Sequence, residues 1–389
     1  MLCPRLCFLS CVVFATSGSC LYAQSPPKPV TRKFDRMLAL ETEPTTSAGV
    51  SVGDVNGDGH LDILLAKGRH WPEMNRVLLG NDRGEFTTSD VGGEPDRTYT
   101  SALADLNGDG ALDLVVSNDR PDRKLVYFND GKGRFIEAGF FGDPEWPTRY
   151  ATIADLNGDG FPEILTANRN NWRAPKFTPS FISFNDGKGG FSERRPLPTQ
   201  SSTIIVAADF DGDGATDLFL PHRDGGRSLV LWNDSKGNFN ESFQLGPEET
   251  QTRVAAAADL NGDGLIDLIV GGEEGKGIEI YLNEGSRKFG EANLLSSAER
   301  VAYSVAIADM NRDGIQDVVV GYVEGRGSVF FGTGSGLAFV ETAWSDGVGA
   351  VYGLAVGDFN SDGWPDIVTA RSKGVNALWY NDPSNGKAN

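Results

Sequence analysis

Cysteine is absent from almost the whole chain. The four present, Cys3, Cys7, Cys11 and Cys20, all precede residue 24 of 389. Everything after that point therefore lacks a disulfide staple, a thiolate metal site and a cysteine nucleophile. Histidine is nearly as scarce, with only His60, His70 and His222. Three scattered histidines do not make a zinc-type cluster, and they leave few general bases. Basic residues are outnumbered, 35 Lys and Arg against 54 Asp and Glu, which argues against nucleic-acid binding through clustered cations. Long apolar runs are also missing. The longest, Leu6 to Ala15, is shorter than the roughly 18–20 residues that cross a bilayer.

That short run follows Arg5 and leads to Leu21-Tyr22-Ala23, the layout of a secretory signal peptide. Residues 1–23 are read as that signal and 24–32, Gln-Ser-Pro-Pro-Lys-Pro-Val-Thr-Arg, as an extended linker. Lipid attachment at Cys20 is the alternative. It is disfavoured by Ser17, where a lipoprotein signal usually carries an aliphatic residue. The expected destination is secreted, periplasmic or cell-surface.

What the chain has in abundance is glycine, 49 residues, and one acidic nonapeptide. The pattern Asp-x-Asn/Asp-x-Asp-Gly-x-x-Asp/Glu occurs seven times, at spacings of 51, 50, 54, 50, 50 and 49 residues. Its oxygen-bearing positions are Asp54, Asn56, Asp58 and Asp62; Asp105, Asn107, Asp109 and Asp113; Asp155, Asn157, Asp159 and Glu163; and Asp209, Asp211, Asp213 and Asp217. The last three copies supply Asp259, Asn261, Asp263 and Asp267; Asp309, Asn311, Asp313 and Asp317; and Asp358, Asn360, Asp362 and Asp366. Oxygens at alternate positions, a Gly for the sharp turn and a closing carboxylate suit a hard cation. Ca²⁺ takes six to eight oxygens at about 2.3–2.6 Å in irregular geometry, whereas Mg²⁺ demands a stricter octahedron, so Ca²⁺ ranks first, up to seven ions. Of the 54 acids, 22 lie in these loops, and seven divalent ions would bring the net charge from −19 to about −5. The fourth loop, with Asp211 in place of Asn, is expected to bind most tightly. Solvated Asx-turns without metal are the bland alternative.

These are not EF-hands. Position 12 is Leu65, Val116, Thr166, Leu220, Val270, Val320 or Thr369, where that motif needs Glu. The flanks are β-type, so each loop joins two strands. A β-rich unit repeating near every 50 residues predicts a propeller. Each repeat offers four strands, as in Val50 to Gly53, Asp62 to Leu65, Arg76 to Leu79 and a run from Phe86. Fourth strands are likewise expected from Phe135, Phe191, Phe239, Phe289 and Phe339, after turns such as Asn129-Asp130-Gly131. The seventh copy lacks this strand, and residues 33–40 are expected to supply it and close the ring. Residues 33–382 are thus read as one all-β, seven-bladed propeller of four-stranded antiparallel blades, with 383–389 as a tail.

The repeats resemble the FG-GAP/VCBS family, which includes the calcium-binding propeller head of integrin α subunits. The resemblance covers about residues 33–382 and implies the same fold and calcium chemistry. It is much less informative about activity, because that superfamily spans adhesins, lectins, complex subunits and some polysaccharide lyases.

The face opposite the acidic loops is legible by alignment on the first Asp. Six residues earlier stand Ala48, Tyr99, Arg149, Thr203, Arg253, Tyr303 and Tyr352; thirteen later stand Lys67, Asn118, Asn168, His222, Gly272, Tyr322 and Arg371. Arg69, His70, Trp71, Arg120, Arg169, Trp172, Arg173 and Arg223 lie near these positions. Arg forks and aromatic rings suit an acidic glycan or an anionic segment of an extracellular protein. Tyr99, Arg149, Trp172, Arg173, His222, Arg223, Arg253, Tyr303 and Tyr352 are the candidate ligand contacts. Ordinary rim polarity, paired with Asp119, Asp122 and Asp224, is the competing reading. A monomeric binding or adhesion module is expected, with a structural subunit of a surface complex as another class. The enzymatic alternative is a uronate-polysaccharide lyase with His222 as base, Tyr99 or Tyr150 as acid and Arg149 as neutraliser.

Overall fold

Short apolar runs separated by Gly- and Asn-rich turns become strands, and each repeat folds into one sheet whose sequential strands are neighbours. The computed structural model describes residues 30–170, 177–199, 201–249, 251–273, 277–296, 299–334 and 336–383. Among them there is no helix, and seven four-stranded antiparallel sheets form a ring. Blade one comprises Ser47–Gly53, Asp62–Lys67, Glu73–Gly80 and Phe86–Asp96. The other blades repeat that order. The expected signal peptide, most of the linker and residues 384–389 lie outside the described residues. Among the described residues no helix is long and apolar enough to cross a membrane.

The second strand of each blade is buried on both faces, as in Asp113–Asn118 and Asp317–Tyr322. It is sandwiched between neighbouring blades, which explains unbroken runs such as Ile63-Leu64-Leu65. The core is accordingly a series of interblade layers rather than one centre. Between blades four and five, Phe210, Phe219 and Trp232 meet Leu268, Tyr281 and Phe289. The Phe that opens a fourth strand belongs to such a layer: Phe289 meets Phe210 edge-on at 5.9 Å.

The ring closes as the sequence suggested. Met37–Ala39 pairs with Ala377–Trp379 as the fourth strand of blade seven. Phe34, 1% exposed, packs with Trp344 and Trp379, and Arg32–Lys33 pairs with Asp382–Pro383. The innermost strands of successive blades pack side by side, blade seven against blade one. A Cβ on Gly353 would lie 2.8 Å from the Cα of Gly49, so small residues are required where these strands converge.

Strand ends differ from expectation in two ways. The fourth strands of blades three and four begin at Glu193 and Glu241, two residues beyond Phe191 and Phe239. Inner strands begin earlier, at Ser47, Thr98, Thr252 and Ala350. Those added residues contain a bulge that no hydrophobic pattern announces.

Candidate functional site

In six of seven blades the first two strands slip register by one residue. The slip occurs between Ser47 and Gly49, Thr98 and Thr100, Thr148 and Tyr150, Thr252 and Val254, Ala302 and Ser304, and Val351 and Gly353. The residue left over is Ala48, Tyr99, Arg149, Arg253, Tyr303 or Tyr352. A bulge frees one residue from the ladder and re-aims its side chain. In blade four, Thr203 precedes the shorter strand Val206–Ala208. All seven of these residues line one cavity of about 150 Å³ at the axial mouth, opposite the acidic loops.

Four guanidiniums, from Arg69, Arg149, Arg223 and Arg253, and four phenols, from Tyr99, Tyr150, Tyr303 and Tyr352, stand on that wall. No carboxylate lines it among the described residues. The acids of the rim pair with arginines, and Asp224 and Glu273 line an adjoining open hollow together with Arg223 and Arg253. Asp119 accepts from Arg149, and Glu273 accepts from Arg223 Nε at 2.7 Å and Arg253 Nη2 at 2.6 Å. Arg169 pairs with Asp224 at 2.7 Å. Burial opposes ionisation of Asp119, but the contacts with His70 and Arg149 outweigh it and hold this carboxyl below its ordinary value. Burial, and then repulsion from Arg253 and Arg169, lowers Arg223 to about 10 despite Glu273. Positive charge is thus in excess here.

The rings and cations interleave. Arg69 lies 3.9 Å from the Tyr352 ring centroid, Arg149 4.3 Å from Tyr99 and Arg253 4.1 Å from Tyr303. Tyr303 and Tyr352 are themselves 4.7 Å apart. The Tyr99 hydroxyl is 2.9 Å from His70 Nε2, and His70 Nδ1 is 3.4 Å from Asp119.

Of the candidate contacts, Tyr99, Arg149, Arg223, Arg253, Tyr303 and Tyr352 are brought together, whereas Trp172 and Arg173 fall outside the described residues. His222 is not on the wall; it is 3% exposed, and burial lowers its pKa. The lyase set built on it does not assemble. The positions thirteen after the first Asp share that burial, with Lys67, Asn118, Asn168, Tyr322 and Arg371 at 3% exposure or less. They end second strands, which neighbouring blades enclose. Lys67, for example, bonds Glu41 and Thr45.

The seven acidic loops share one backbone. Position 4 has positive φ in every copy, including Arg312 and Ser361, and position 6 is always a Gly with φ between 84° and 89°. In the second loop Asp105 accepts the N–H groups of Gly108 and Gly110, and Asn107 donates to Asp109 Oδ2. The ninth residue is wholly buried in all seven copies. Asp113 accepts Leu106 N–H at 3.0 Å and Asn129 N–H at 2.9 Å, tying the loop to the end of the third strand. Burial first, and then the loop's own carboxylates, push the ninth residue upward, to about 7 for Glu163, Asp317 and Asp366. An oxygen-only donor set around buried, mutually repelling carboxylates fits a hard cation. In the fourth loop, oxygens of Asp209, Asp211 and Asp217 lie within 4.8 Å of one another. There Arg287 reaches in from blade five, with Nε 2.7 Å from Asp211, so the extra carboxylate is already countered.

A profile of FG-GAP-like repeats matches residues 54–116, 105–166, 209–270, 259–320 and 309–369. Each stretch begins at one acidic loop and ends just past the next. The chain belongs to the FG-GAP-like repeat family. The five stretches together include all seven loops. The pairing they omit, the third loop with the fourth, is the one with the 54-residue spacing.

Among curated proteins, this FG-GAP propeller is similar to cartilage acidic protein 1 of Mus musculus, 28% identical over 225 residues. The match covers 54% of this chain and 34% of the relative, so the chain spans about a third of the curated relatives it matches. Among solved structures it resembles an Agrocybe aegerita lectin described as recognising non-reducing terminal N-acetylglucosamine. That likeness has TM-score 0.56 and 20% identity over 85% of this chain and 87% of the lectin. It also resembles BBS1N, solved in complex with ARL6DN, with TM-score 0.60 and 12% identity over 92% and 98% of the two chains. At these identities the likeness concerns the fold.

One set of residues in the FG-GAP repeats went unrecognised as interblade contacts. Asn129, at the end of the third strand of blade two, donates to Val55 O of blade one at 2.7 Å and to Leu112 O at 3.0 Å. Asn185, Asn233, Asn283 and Asn381 reach the preceding blade in the same way, at Leu106, Leu156, Phe210 and Met310. The signal was present as the recurring Asn-Asp or Asn-Glu of the hairpin, read only as turn chemistry. Blades one and six carry Gly80 and Gly332 at this place. A Cβ there would meet Leu61 O at 2.4 Å or Ile315 Cγ2 at 2.6 Å.

Proposed function

We propose that this FG-GAP propeller is an extracellular, calcium-stabilised binding module whose axial mouth takes an anionic ligand. The observation that carries the reading is the composition of the cavity wall, four guanidiniums and four phenols with no described carboxylate. Arg recognises carboxylate or sulfate through paired donors, and aromatic faces suit a sugar ring. The lectin-like fold and the likeness to an acidic cartilage protein support a glycan or protein ligand in an extracellular setting.

Calcium would be held by positions 1, 3, 5 and 9 of the loops, for example Asp105, Asn107, Asp109 and Asp113. Bound there, it would offset the repulsion that raises the ninth carboxyl and tighten the turn between the two innermost strands. Its contribution is to stability on one face, while the ligand acts at the other. A thermal-shift titration of the chain from residue 24 tests both, with Ca²⁺, with chelator, and with acidic or neutral glycans in Ca²⁺. Ca²⁺ and at least one anionic ligand should each raise the midpoint. No response to chelator would remove the calcium reading, and indifference to every anion would remove the ligand reading.

A further inference from the structure

The shape of the mouth narrows the ligand. Apart from Arg69, Arg223 and, in blade four, Thr203 and Ile204, the wall uses only the first few residues of the inner strands, such as Ala48 to Val50 in blade one and Tyr352 to Leu354 in blade seven. Two steps of about 3.3 Å make a depth of roughly 7 Å. The same strands run on to Gly53 and Gly357 beyond the residues that line the cavity, so the charged recess is shallow. Its volume, about 150 Å³, is below the roughly 300–1,000 Å³ of pockets that engulf a drug-sized ligand. That volume suits one small residue.

The charges single out a pair. Asp119 and Glu273 are engaged by Arg149, Arg223 and Arg253, while Arg69 has no carboxylate partner among the described residues and is held by the rings and hydroxyls of Tyr99 and Tyr303 and by the ring of Tyr352. Arg253 has Nε and Nη1 buried without an acceptor. Both guanidiniums flank Tyr303, at 5.8 Å and 4.1 Å from its ring centroid. Trp71, 70% exposed, lies two residues beyond Arg69 on one turn closed by Trp71 N–H to Gly68 O at 2.8 Å.

We propose that the mouth recognises the terminal residue of an acidic polysaccharide end-on. The anionic group of that residue sits between the guanidiniums of Arg69 and Arg253, at the edge of Tyr303 and off its negative face, and the adjoining sugar lies at Trp71. This rests on the reading of the mouth as an anion site and adds a direction of approach. The anion can be a uronate carboxylate or a sulfate ester, since both match paired guanidinium donors.

Calorimetric titration in Ca²⁺ tests it with defined probes. These are a uronate-terminated disaccharide, its methyl ester, a disaccharide ending in a sulfated sugar, a long uronate polymer, and an acidic hexapeptide. The disaccharide and polymer should bind alike per chain end, within about twofold, and esterification should cost at least about tenfold. Whichever of carboxylate or sulfate binds more tightly names the source of the anion. Trp71→Ala should weaken the disaccharide severalfold while leaving the thermal midpoint unchanged, and Arg69→Gln should weaken it tenfold or more. Affinity that grows with chain length and ignores esterification of the end would overturn end-on recognition while sparing the anion site. Peptide binding with silent glycans would overturn the ligand class. Silence from every anionic probe would overturn the anion site itself.

Discussion

Replacing the ninth carboxylate of an acidic loop separates what the loop does by itself from what a cation adds. Asp113 is fully buried, and its two oxygens accept the backbone N–H groups of Leu106 and Asn129. Asp113→Ala leaves both donors buried and unpaired at about 1–3 kcal/mol each, so about 2–6 kcal/mol of stability should be lost. Asp113→Asn keeps one acceptor and should lose about half as much. Asp109, exposed and bonded to Ala111 N–H and Asn107, is the control: without a cation, Asp109→Asn should cost under about 1 kcal/mol. Urea unfolding in chelator and in Ca²⁺ provides the assay. Asp113→Ala should be severe in both, and Asp109→Asn mainly in Ca²⁺. A loss below about 0.5 kcal/mol for Asp113→Ala in chelator would refute the reasoning, since two buried donors cannot be orphaned so cheaply.

Three further outcomes follow from single contacts. Asn233→Ala removes bonds to Leu156 O of the preceding blade and to Thr216 O, each 2.8 Å, and should cost about 2–4 kcal/mol in urea unfolding. Lys124 is wholly buried, which lowers its pKa to about 8 from the ordinary 10.5. Between those values the unfolded chain holds a proton that the folded chain has released, so this residue makes stability rise with pH from about 8 to 10.5. Denaturation across that window should show the rise in the wild type relative to Lys124→Met. Arg287→Gln removes the guanidinium 2.7 Å from Asp211 and should raise the calcium affinity of the fourth loop about tenfold or more, read as an added tight site in a calcium titration.

The period made the fold legible. Seven loops near every 50 residues fixed the number of blades, and the missing Phe-led strand of the last repeat pointed to Met37–Ala39 as its replacement. The Arg and Tyr ring was legible for the same reason, because equal offsets in a repeat become equal places around an axis. Offsets do not report burial. His222 and Arg371 sit at the same offset as Lys67, and all three are buried at or near the end of a second strand. Charge and polarity therefore suggested a surface where the packing makes an interior. The bulges were illegible for another reason: one inserted residue shifts the ladder without altering the alternation of small side chains that marks an inner strand.

The separation of charge between the two faces joins these findings. The loops hold 22 of the 54 acids, so the remaining 32 are outnumbered by 35 Lys and Arg. A chain that is acidic as a whole is therefore mildly basic once its loops are set aside, and the fold puts those loops at one end of every blade. The mouth lies at the other end, where four guanidiniums line a recess with no carboxylate on its wall among the described residues, and three of them pair with acids at its rim. An anion approaching the loop face meets repulsion, and one approaching the mouth meets attraction that strengthens as water is excluded. Calcium in the loops would reduce the repulsion without removing the positive recess. On the proposed reading, cation and anion would be held at opposite ends of the same inner strands, so that a stabilising site and a recognition site in one repeat would not compete for charge.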